Sequence, residues 1–420
     1  MNPVISSNEE SIRIFQVIDK SSSLVEVSVL FAVGSRYDPQ GRAGMAHLLE
    51  HMSFQGTIKR KDNKIITLEI ENLGASIDAF TGYEYTGYSL RTPTNNIYKA
   101  VDVLTDVIIN STLNQSNLQK EKRVICEEIS MYDDIPSEKA KDIFQNSLFE
   151  GNALGNNIAG TVSELDSITR GKILSFKKEA YTKENTLVSI AGNYKADLVN
   201  YILEKLKTLN KLSKLKYQKV KTVSTKGKCR LINFSKEAQQ SNIIIGQTFN
   251  GGQINNKIDE YVLDLGNMIL SGGMGSILYQ KIREQLRLAY YVNSSTHLYD
   301  EVGCYCIELG VSNSNAQNAL EEVIQIISEF IGEASKASNF ERAKNYYIGH
   351  VITEIETAAE LALWQSMKSL RNEKAPIYSK EEIINKINEI SPENVTTLWS
   401  SMIRPDELIV VNVGSKDIRM

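Results

Sequence analysis

Residues 44–52 read Gly44-Met45-Ala46-His47-Leu48-Leu49-Glu50-His51-Met52, which places two histidines and a glutamate in the order H-x-x-E-H. Positions i and i+4 of an α-helix lie one above the other, so His47 and His51 can direct their imidazoles at one point, with Glu50 beside it. Two imidazoles, a third ligand and one position open to water form a catalytic zinc site. The stretch therefore predicts a short helix that holds a metal ion.

The alternative is a chance match of five residues in an ordinary helix. The chain has four histidines in 420 residues, and two of them fall within this stretch. The apolar side chains of the stretch point to the other side of the helix, toward a core; they are Leu48, Leu49 and Met52. Polar groups on a helix suited to burial need partners, because an unpaired buried polar group is costly. The pattern favours the metal site.

The composition is that of an ordinary globular protein, with 42% hydrophobic residues, 23% charged residues and a net charge of -4. The length exceeds that of one typical core and predicts two or three domains. The charge balance gives no support for binding to nucleic acid or to an anionic membrane. No run approaches the roughly 18 apolar residues of a membrane helix, and residues 1–20 contain no apolar segment typical of a signal peptide.

The cysteines indicate a reducing compartment, and we expect a cytoplasmic protein. There are four of them, scattered along the chain at Cys126, Cys229, Cys304 and Cys306. Cys304 and Cys306 share one face of a strand-like run, where buried free thiols are favoured over a metal or redox pair.

The order of predicted elements indicates an α+β fold. In the first half, apolar and polar residues alternate over 12–19 and 24–33, predicting two strands before the H-x-x-E-H helix. Then follow a helix over 63–73, a strand pair around Gly82, helices near 96–110, 117–133, 136–149 and 164–180, and a strand over 186–190. The second half repeats this order with strands near 229–234 and 241–248, helices over 258–270 and 276–286, a hairpin over 290–311, long helices from 315 to about 370, helices near 380–403 and a strand over 407–413. We predict two similar domains, each with a mixed, mainly antiparallel sheet packed with helices.

The middle of the chain is rich in lysine, and residues 205–221 contain no acidic residue. A nucleic-acid patch is one interpretation, but nothing else in the chain is basic, so an exposed linker is favoured. We therefore predict an N-terminal zinc-binding domain over 1–205, a lysine-rich linker over 206–228 and a C-terminal related domain over 229–420.

A third metal ligand is expected in the predicted helix over 117–133. Glu121, Val124, Ile125 and Glu128 form one stripe of this helix, because they are spaced i, i+3, i+4 and i+7. Glu127 lies about 100° around the helix from Glu128. Two glutamates that flank apolar residues suit a buried face only if a cation meets them. This favours Glu128 as the ligand with Glu121 beside it; ordinary carboxylates on a solvated helix are the alternative.

The H-x-x-E-H motif and the glutamate pair, Glu121 and Glu128, are accompanied by further motifs at 78–86, 158–161, 191–193, 272–276 and 283–290. Together they resemble the pitrilysin family of inverzincin peptidases, which includes insulin-degrading enzyme and the mitochondrial processing peptidase. The resemblance covers the chain from about residue 12 to its C-terminus. It implies a zinc ion held by His47, His51 and Glu128, with Glu50 as the general base and Glu121 in support.

The resemblance also implies substrate contacts in both halves of the chain. Arg283 and Tyr290 match a pair that contacts the substrate near the scissile bond; without the resemblance they would be an exposed charge and a strand aromatic. The substrate is expected to add as an extended strand, and the residues assigned to contact it are Asp78, Ala79, Phe80 and Thr81. Asp78 stands where relatives commonly carry asparagine, which is expected to alter subsite preference or pH dependence. Asn152 stands where a histidine is common.

The assembly expected from the resemblance is a dimer. Large members of the family carry the metal site in the first of four related domains and the Arg–Tyr pair in the fourth. A two-domain chain with both is expected to form a homodimer in which one copy supplies zinc and the other supplies Arg283 and Tyr290; a heterodimer with a similar chain is the alternative. The expected activity is that of a zinc endopeptidase. The alternatives are a maturation protease for one precursor peptide and a non-catalytic scaffold.

Overall fold

The computed structural model describes residues 3–7, 12–220, 229–250, 260–373 and 375–420. The chain folds into two compact units, each built from one sheet and several helices. The predicted α+β fold with two similar domains is therefore confirmed. The last part of the predicted linker, 221–228, and the first two residues of the helix predicted from 258 lie outside the described residues.

The first unit contains a mixed sheet of six strands. They are β1 (Pro3–Ser7), β2 (Arg13–Ile18), β3 (Leu24–Phe31), β4 (Ser76–Thr81), β5 (Thr86–Pro93) and β6 (Thr186–Gly192). Their order in the sheet is β1-β2-β6-β3-β5-β4. Only β2 and β6 pair in parallel; the other described neighbours are antiparallel. The sheet therefore ends in β4, the strand that carries the residues assigned to the substrate.

The second unit repeats this arrangement with five strands. They are β7 (Arg230–Ser235), β8 (Gln240–Asn250), β9 (Ala289–Leu298), β10 (Val302–Ser312) and β11 (Ile409–Gly414). Their order is β7-β11-β8-β10-β9, with β7 and β11 parallel and the other pairs antiparallel. Order and directions match β2-β6-β3-β5-β4 of the first sheet, so β9 corresponds to β4. The predicted repeat of element order is confirmed.

Fourteen described α-helices accompany the sheets. They are α1 (Met45–Ser53), α2 (Asn63–Asn72), α3 (Ile97–Asn110), α4 (Gln115–Asp134), α5 (Pro136–Leu148), α6 (Val162–Ser167), α7 (Arg170–Ala180), α8 (Asp197–Leu206), α9 (Glu260–Ser271), α10 (Ala316–Ala334), α11 (Ala337–Glu354), α12 (Ala358–Arg371), α13 (Lys380–Glu389) and α14 (Pro392–Met402). A search of the described helices finds none with the length and apolar content that crossing a lipid bilayer requires.

The core of the first unit lies between the sheet and its helices. Val25, Val27 and Val29 alternate along β3 and have no exposed surface, as expected for one face of a strand. They pack with the apolar faces of α1 and α3 in one hydrophobic cluster. The alternation that predicted β3 thus also orients the sheet toward the H-x-x-E-H helix.

Local details differ from the sequence-based expectation. The helix predicted over 164–180 is interrupted between α6 and α7, because the Thr169 side chain accepts a hydrogen bond from Lys172 N–H and begins a new helix. The helix predicted over 276–286 contains a π-helix, Tyr279–Gln285. The strand β1 was not expected from the pattern.

The two units exchange segments along the chain. The first unit consists of Met1–Ile129, Asn156–Gln218 and Ile355–Lys380, and the second of Ser130–Gly155, Lys219–Glu354 and Glu381–Met420. Thus α12, late in the chain, packs against β2, β3 and β6, whereas α5 packs against β8 and β11. The predicted division at 206–228 stays a prediction, and the structure adds an exchange that it did not include.

Candidate active site

Helix α1 is held at its start by the side chain of Asp38. Gly44, just before the helix, has a φ of +90°, and a Cβ there would lie 2.4 Å from the carbonyl oxygen of Ala159, so only glycine fits. Asp38 Oδ2 accepts hydrogen bonds from the N–H groups of Gly44 (2.8 Å) and Met45 (3.1 Å). Its Oδ1 accepts one from Ala46 (2.9 Å). A carboxylate satisfies the free N–H groups of a helix N-terminus, and Asp38 thereby fixes where α1 begins.

The face of α1 opposite the histidines is anchored in the core. Its apolar side chains have no exposed surface; they are Leu48, Leu49 and Met52. Ser53, at the end of the helix, donates a hydrogen bond to the carbonyl of Leu49 (2.9 Å) and accepts one from the Tyr88 hydroxyl (3.1 Å). Tyr88 is in turn hydrogen-bonded to the buried Tyr181 (2.7 Å). This chain of buried polar groups fixes the helix at its second end.

The structure brings together the three side chains predicted to hold zinc. His47 and His51 of α1 and Glu128 of α4 each offer a ligand atom, and these atoms lie within 4.8 Å of one another. His47 Nε2 is 4.0 Å and His51 Nε2 is 3.9 Å from Glu128 Oε2. Imidazole nitrogens and a carboxylate oxygen are common zinc ligands. Among the described residues, no other group of three such side chains is arranged to hold a metal ion.

The surroundings of the two histidines favour a bound cation. Burial, and then the neighbouring His51, lowers the pKa of His47 to about 4, so its ring is neutral near pH 7. His51 Nδ1 lies 3.3 Å from Glu121 Oε2, and a carboxylate at Nδ1 leaves the lone pair on Nε2, the atom that faces Glu128. Burial alone lowers the pKa of His51, but Glu121, Glu50 and Glu128 together outweigh burial and raise it. Three carboxylates therefore favour a positive charge at this point.

Glu50 lies between the histidines and the edge strand. Its Oε2 accepts a hydrogen bond from the Thr81 hydroxyl at 2.5 Å, which joins α1 to the end of β4. Burial raises the pKa of Glu50. The hydrogen bond from Thr81 opposes this rise, whereas the charges of Asp78 and Glu128 add to it, and the net pKa is raised. A carboxyl group with a raised pKa is suited to accept and return a proton.

The loop before α1 holds the turn between β4 and β5. Ser35 N–H donates to the carbonyl of Gly82 (3.0 Å), and Arg36 N–H donates to that of Tyr83 (2.9 Å). The Arg36 side chain is completely buried and forms an ion pair with Glu84 in the same turn. A buried ion pair of this kind fixes geometry, because either charge alone would be costly. The turn and Thr81 are thereby fixed relative to α1.

The four residues assigned to the substrate lie on β4, at the edge of the sheet. Asp78 is exposed, while Ala79, Phe80 and Thr81 are partly buried. Phe80 covers Gly87 of the neighbouring strand so closely that a Cβ at Gly87 would lie 2.3 Å from its ring. β4 thus offers a backbone edge beside Glu50.

Arg283 and Tyr290 belong to the second unit. Arg283 lies in the π-helix, with its guanidinium 5.0 Å from the centre of the Tyr279 ring. Tyr290 is at the beginning of β9 and is 59% exposed. Arg287, between them, has a φ of +52°, which costs energy for a residue other than glycine. Strain and π-helices occur often at functional sites, and both are found here around the predicted pair.

Comparison with known proteins identifies the family. Residues 14–162 match the insulinase family, peptidase family M16, and residues 167–347 match the peptidase M16 inactive domain. The chain belongs to peptidase family M16. An M16 relative from Rickettsia bellii, named an uncharacterized zinc protease, is 31% identical over 94% of this chain and 88% of its own length. The zinc protease YmxG of Bacillus subtilis, also named uncharacterized, is 27% identical over 91% of both chains.

Solved structures show the same M16 fold. A peptidase M16 inactive domain structure from Pseudomonas fluorescens has a TM-score of 0.90 at 20% identity, and covers 100% of this chain and 99% of its own. A protease from Helicobacter pylori has a TM-score of 0.88 at 17% identity, and covers 98% of this chain and 99% of its own. Both matches extend over both units of this M16 chain and confirm the fold.

Sequence reasoning missed two residues that hold the M16 helix in place. Asp38 caps α1 from seven residues upstream of its first residue, and an aspartate in the loop before a predicted helix start was the available signal. Thr81 was assigned only to the substrate, yet it also binds Glu50. That contact joins a helix to a strand, and no local sequence pattern indicates it.

Proposed function

We propose that this chain is a zinc-dependent endopeptidase that hydrolyses peptides bound as an extended strand. The observation that carries the proposal is the convergence of His47, His51 and Glu128 beside Glu50, next to an open sheet edge. The names of the M16 relatives support it, since they are described as zinc proteases.

The residues present fit a zinc ion. His47 Nε2 and His51 Nε2 lie 4.0 Å and 3.9 Å from Glu128 Oε2, too far for hydrogen bonds but close enough for all three atoms to bind one ion. His47 Nδ1 is buried and has no hydrogen-bond partner among the described residues, so that ring is not held by hydrogen bonds. A zinc ion bound here would supply a water of lowered pKa and a Lewis acid for the scissile carbonyl.

Glu50 is the proposed general base. It is positioned by Thr81 and has a raised pKa because of burial. In the proposed reaction Glu50 takes a proton from the attacking water and returns it to the nitrogen of the leaving amine, so that one carboxyl group serves both steps. Glu121 holds His51 in the tautomer that presents its Nε2 lone pair.

The peptide is proposed to add to β4 as a further strand. An edge strand has free N–H and C=O groups, and pairing with them provides affinity for any sequence. Glu50 would then face a peptide bond in an extended, fixed conformation. Arg283 and Tyr290 are proposed to contact the substrate from a second copy of the chain, with Tyr290 donating a hydrogen bond to the oxyanion.

The proposal is tested with purified protein, its zinc content and a library of fluorescence-quenched peptides. We expect about one zinc per chain and turnover of peptides, which Glu50→Gln reduces by roughly 100-fold to 10,000-fold because the general base is lost. Glu127→Gln, an exposed glutamate on α4, is the matched control and should retain activity.

The outcomes separate the alternatives. Turnover of many peptides supports a general endopeptidase, whereas turnover of one narrow sequence supports a maturation protease. Absence of both zinc and turnover indicates a scaffold and contradicts the proposal. For the dimer, mixing Arg283→Ala chains with Glu50→Gln chains should restore activity above either variant alone; if no activity returns, sharing of residues between copies is wrong.

A further inference from the structure

The free side of β4 is defined by the hydrogen-bond pattern of the sheet. In the turn between β4 and β5, Gly82 N–H donates to the carbonyl of Tyr85 at 2.8 Å. Hydrogen-bonded and non-hydrogen-bonded pairs alternate along an antiparallel ladder. Because Gly82 bonds across the turn, every second residue before it in β4 directs its backbone N–H and C=O toward β5, and the residues between them direct these groups outward. The outward-facing residues are Ile77, Ala79 and Thr81. No described strand pairs with that side.

One of the outward donors is covered by the side chain beside it. The N–H of Ala79 donates to Oδ1 of Asp78 at 2.9 Å. The exposed Asp78 carboxylate therefore lies on the free edge itself, over a donor that a docked strand uses. Arg91 lies on the same face of the neighbouring strand, but it is paired with Glu26 at 3.1 Å. Within the described residues no ion pair joins Asp78 to a basic side chain.

We propose that Asp78 selects peptides that carry a lysine or arginine at the position opposite it on the docked strand. This rests on the proposed function, in which the peptide pairs with β4. The backbone N–H and C=O groups of Asp78 face β5. If a peptide docks antiparallel on the other side of β4, Asp78 and the peptide residue opposite it therefore form a non-hydrogen-bonded pair. In such pairs the facing side chains are closest, and opposite charges stabilise while like charges destabilise.

Docking also changes the surroundings of the Asp78 carboxylate. A peptide carbonyl that accepts the Ala79 N–H displaces Asp78 Oδ1 from that bond. The displaced carboxylate then needs another partner, which a basic side chain on the peptide supplies and an acidic side chain does not.

The test uses otherwise identical quenched peptides in which lysine, norleucine or glutamate is scanned along the sequence. For each protein the ratio of kcat/KM for the lysine and glutamate peptides is measured at every position. In the unchanged chain we expect one position with a ratio of about 10, the size expected for reversing one cross-strand charge pair. Asp78→Asn keeps an oxygen for the Ala79 N–H but removes the charge, so the ratio should fall to near 1. Glu179→Gln removes an exposed charge from α7 and should leave the ratio unchanged.

A second variant moves the charge along the strand. Ser76 is exposed and lies two residues before Asp78 on the same face. In the double variant Ser76→Asp/Asp78→Asn, the preferred lysine should move two residues toward the C-terminus of an antiparallel peptide. The same ratios are measured as dissociation constants by fluorescence anisotropy with Glu50→Gln protein, which reports binding without cleavage.

The results distinguish this inference from the proposed function. If peptides are cleaved but Asp78→Asn keeps the lysine preference, or the preference does not move in the double variant, Asp78 is not the selecting residue. If no peptide is either bound or cleaved by the unchanged chain, the proposed function itself fails. A lysine preference that disappears in Asp78→Asn and moves in the double variant supports the inference.

Discussion

In the first unit, the helix that follows β3 carries His47 and His51 four residues apart; in the second unit, the helix that follows β8 carries Asn267 and Ser271 with the same spacing. Both helices pack against the edge strand of their own sheet. The first pair converges with Glu128 on one point. Asn267 and Ser271 instead form hydrogen bonds with the edge strand β9.

Asn267 and Ser271 cover the free edge of β9, the edge strand of the second sheet. Ser294 of β9 faces outward, and its N–H donates to Ser271 Oγ at 2.9 Å while its carbonyl accepts from Asn267 Nδ2 at 3.2 Å. The Ser294 hydroxyl donates to Asn267 Oδ1 at 2.5 Å. Side chains that occupy the edge groups prevent pairing with another strand. On β4, Asp78 is the one side chain among the described residues that covers an outward N–H group, and we propose that a peptide displaces it.

The comparison teaches that one arrangement of helix and edge strand can serve two purposes. Where the helix carries the candidate metal ligands, the edge strand has free backbone groups and is proposed to bind the substrate. Where the helix supplies amide and hydroxyl groups, the edge is satisfied and the unit is stabilised.

The largest effect is expected from the histidines. His51→Gln should abolish zinc binding, measured by elemental analysis, and reduce peptide turnover at least about 1,000-fold, because a ligand is lost. His297→Gln removes a histidine of β9 in the second unit as a control and should retain zinc and turnover. Loss of zinc in His297→Gln would contradict the assignment of the metal to the first unit.

The next effect concerns the open edge. Ala79→Pro removes an outward N–H without breaking the β4–β5 ladder, since proline is tolerated where its nitrogen faces the free edge. We expect kcat/KM to fall roughly 100-fold, because the proline ring blocks the docked strand and a hydrogen bond is lost. Thr296→Pro makes the same change on β9 and should keep kcat/KM. Equal losses in both variants would show that the edges do not differ in function.

A smaller effect is expected from the carboxylate behind His51. Glu121→Gln replaces the acceptor at Nδ1 by an amide, and the zinc dissociation constant should rise about 10-fold to 100-fold. Competition with a chromogenic chelator measures this constant. Glu127→Gln is the neighbouring control on the same helix. If Glu121→Gln binds zinc like the unchanged chain, Glu121 does not orient His51.

The part of the site that sequence predicts is the part that helix geometry determines. The spacing of His47 and His51 places both on one face of α1, and the spacing of Glu121 and Glu128 does the same on α4. The resemblance to a family then indicated that the two faces form one site. The alternation along β3 similarly predicts which face of the sheet is buried. These patterns are local, because each depends only on the spacing of residues within one helix or one strand.

Other features depend on contacts that no local pattern contains. The bond from Ala79 to Asp78 exists because the ladder places Ala79 on the free side, and that depends on the register set at Gly82. The hydrogen bond from the Ser294 N–H to Ser271 likewise exists because the alternation of backbone groups along β9 places this N–H on the free side. The exchange of α5 and α12 between units requires the packing of whole elements. Resemblance to a family supplied Arg283 and Tyr290, which are otherwise unremarkable.

The smallest effect tests the closed edge. Ser271→Ala removes the acceptor of the Ser294 N–H and the hydroxyl bonded to Ser294 Oγ, which should weaken local stability by about 1 kcal/mol for each lost hydrogen bond. Hydrogen exchange of the Ser294 amide should therefore become at least roughly fivefold faster, since exchange reports local opening. Peptide turnover should stay at the level of the unchanged chain, because β9 is proposed to be structural at this position. A fall in turnover with unchanged exchange would instead assign the Ser271 side of β9 to the substrate, and the difference between the two edges would disappear.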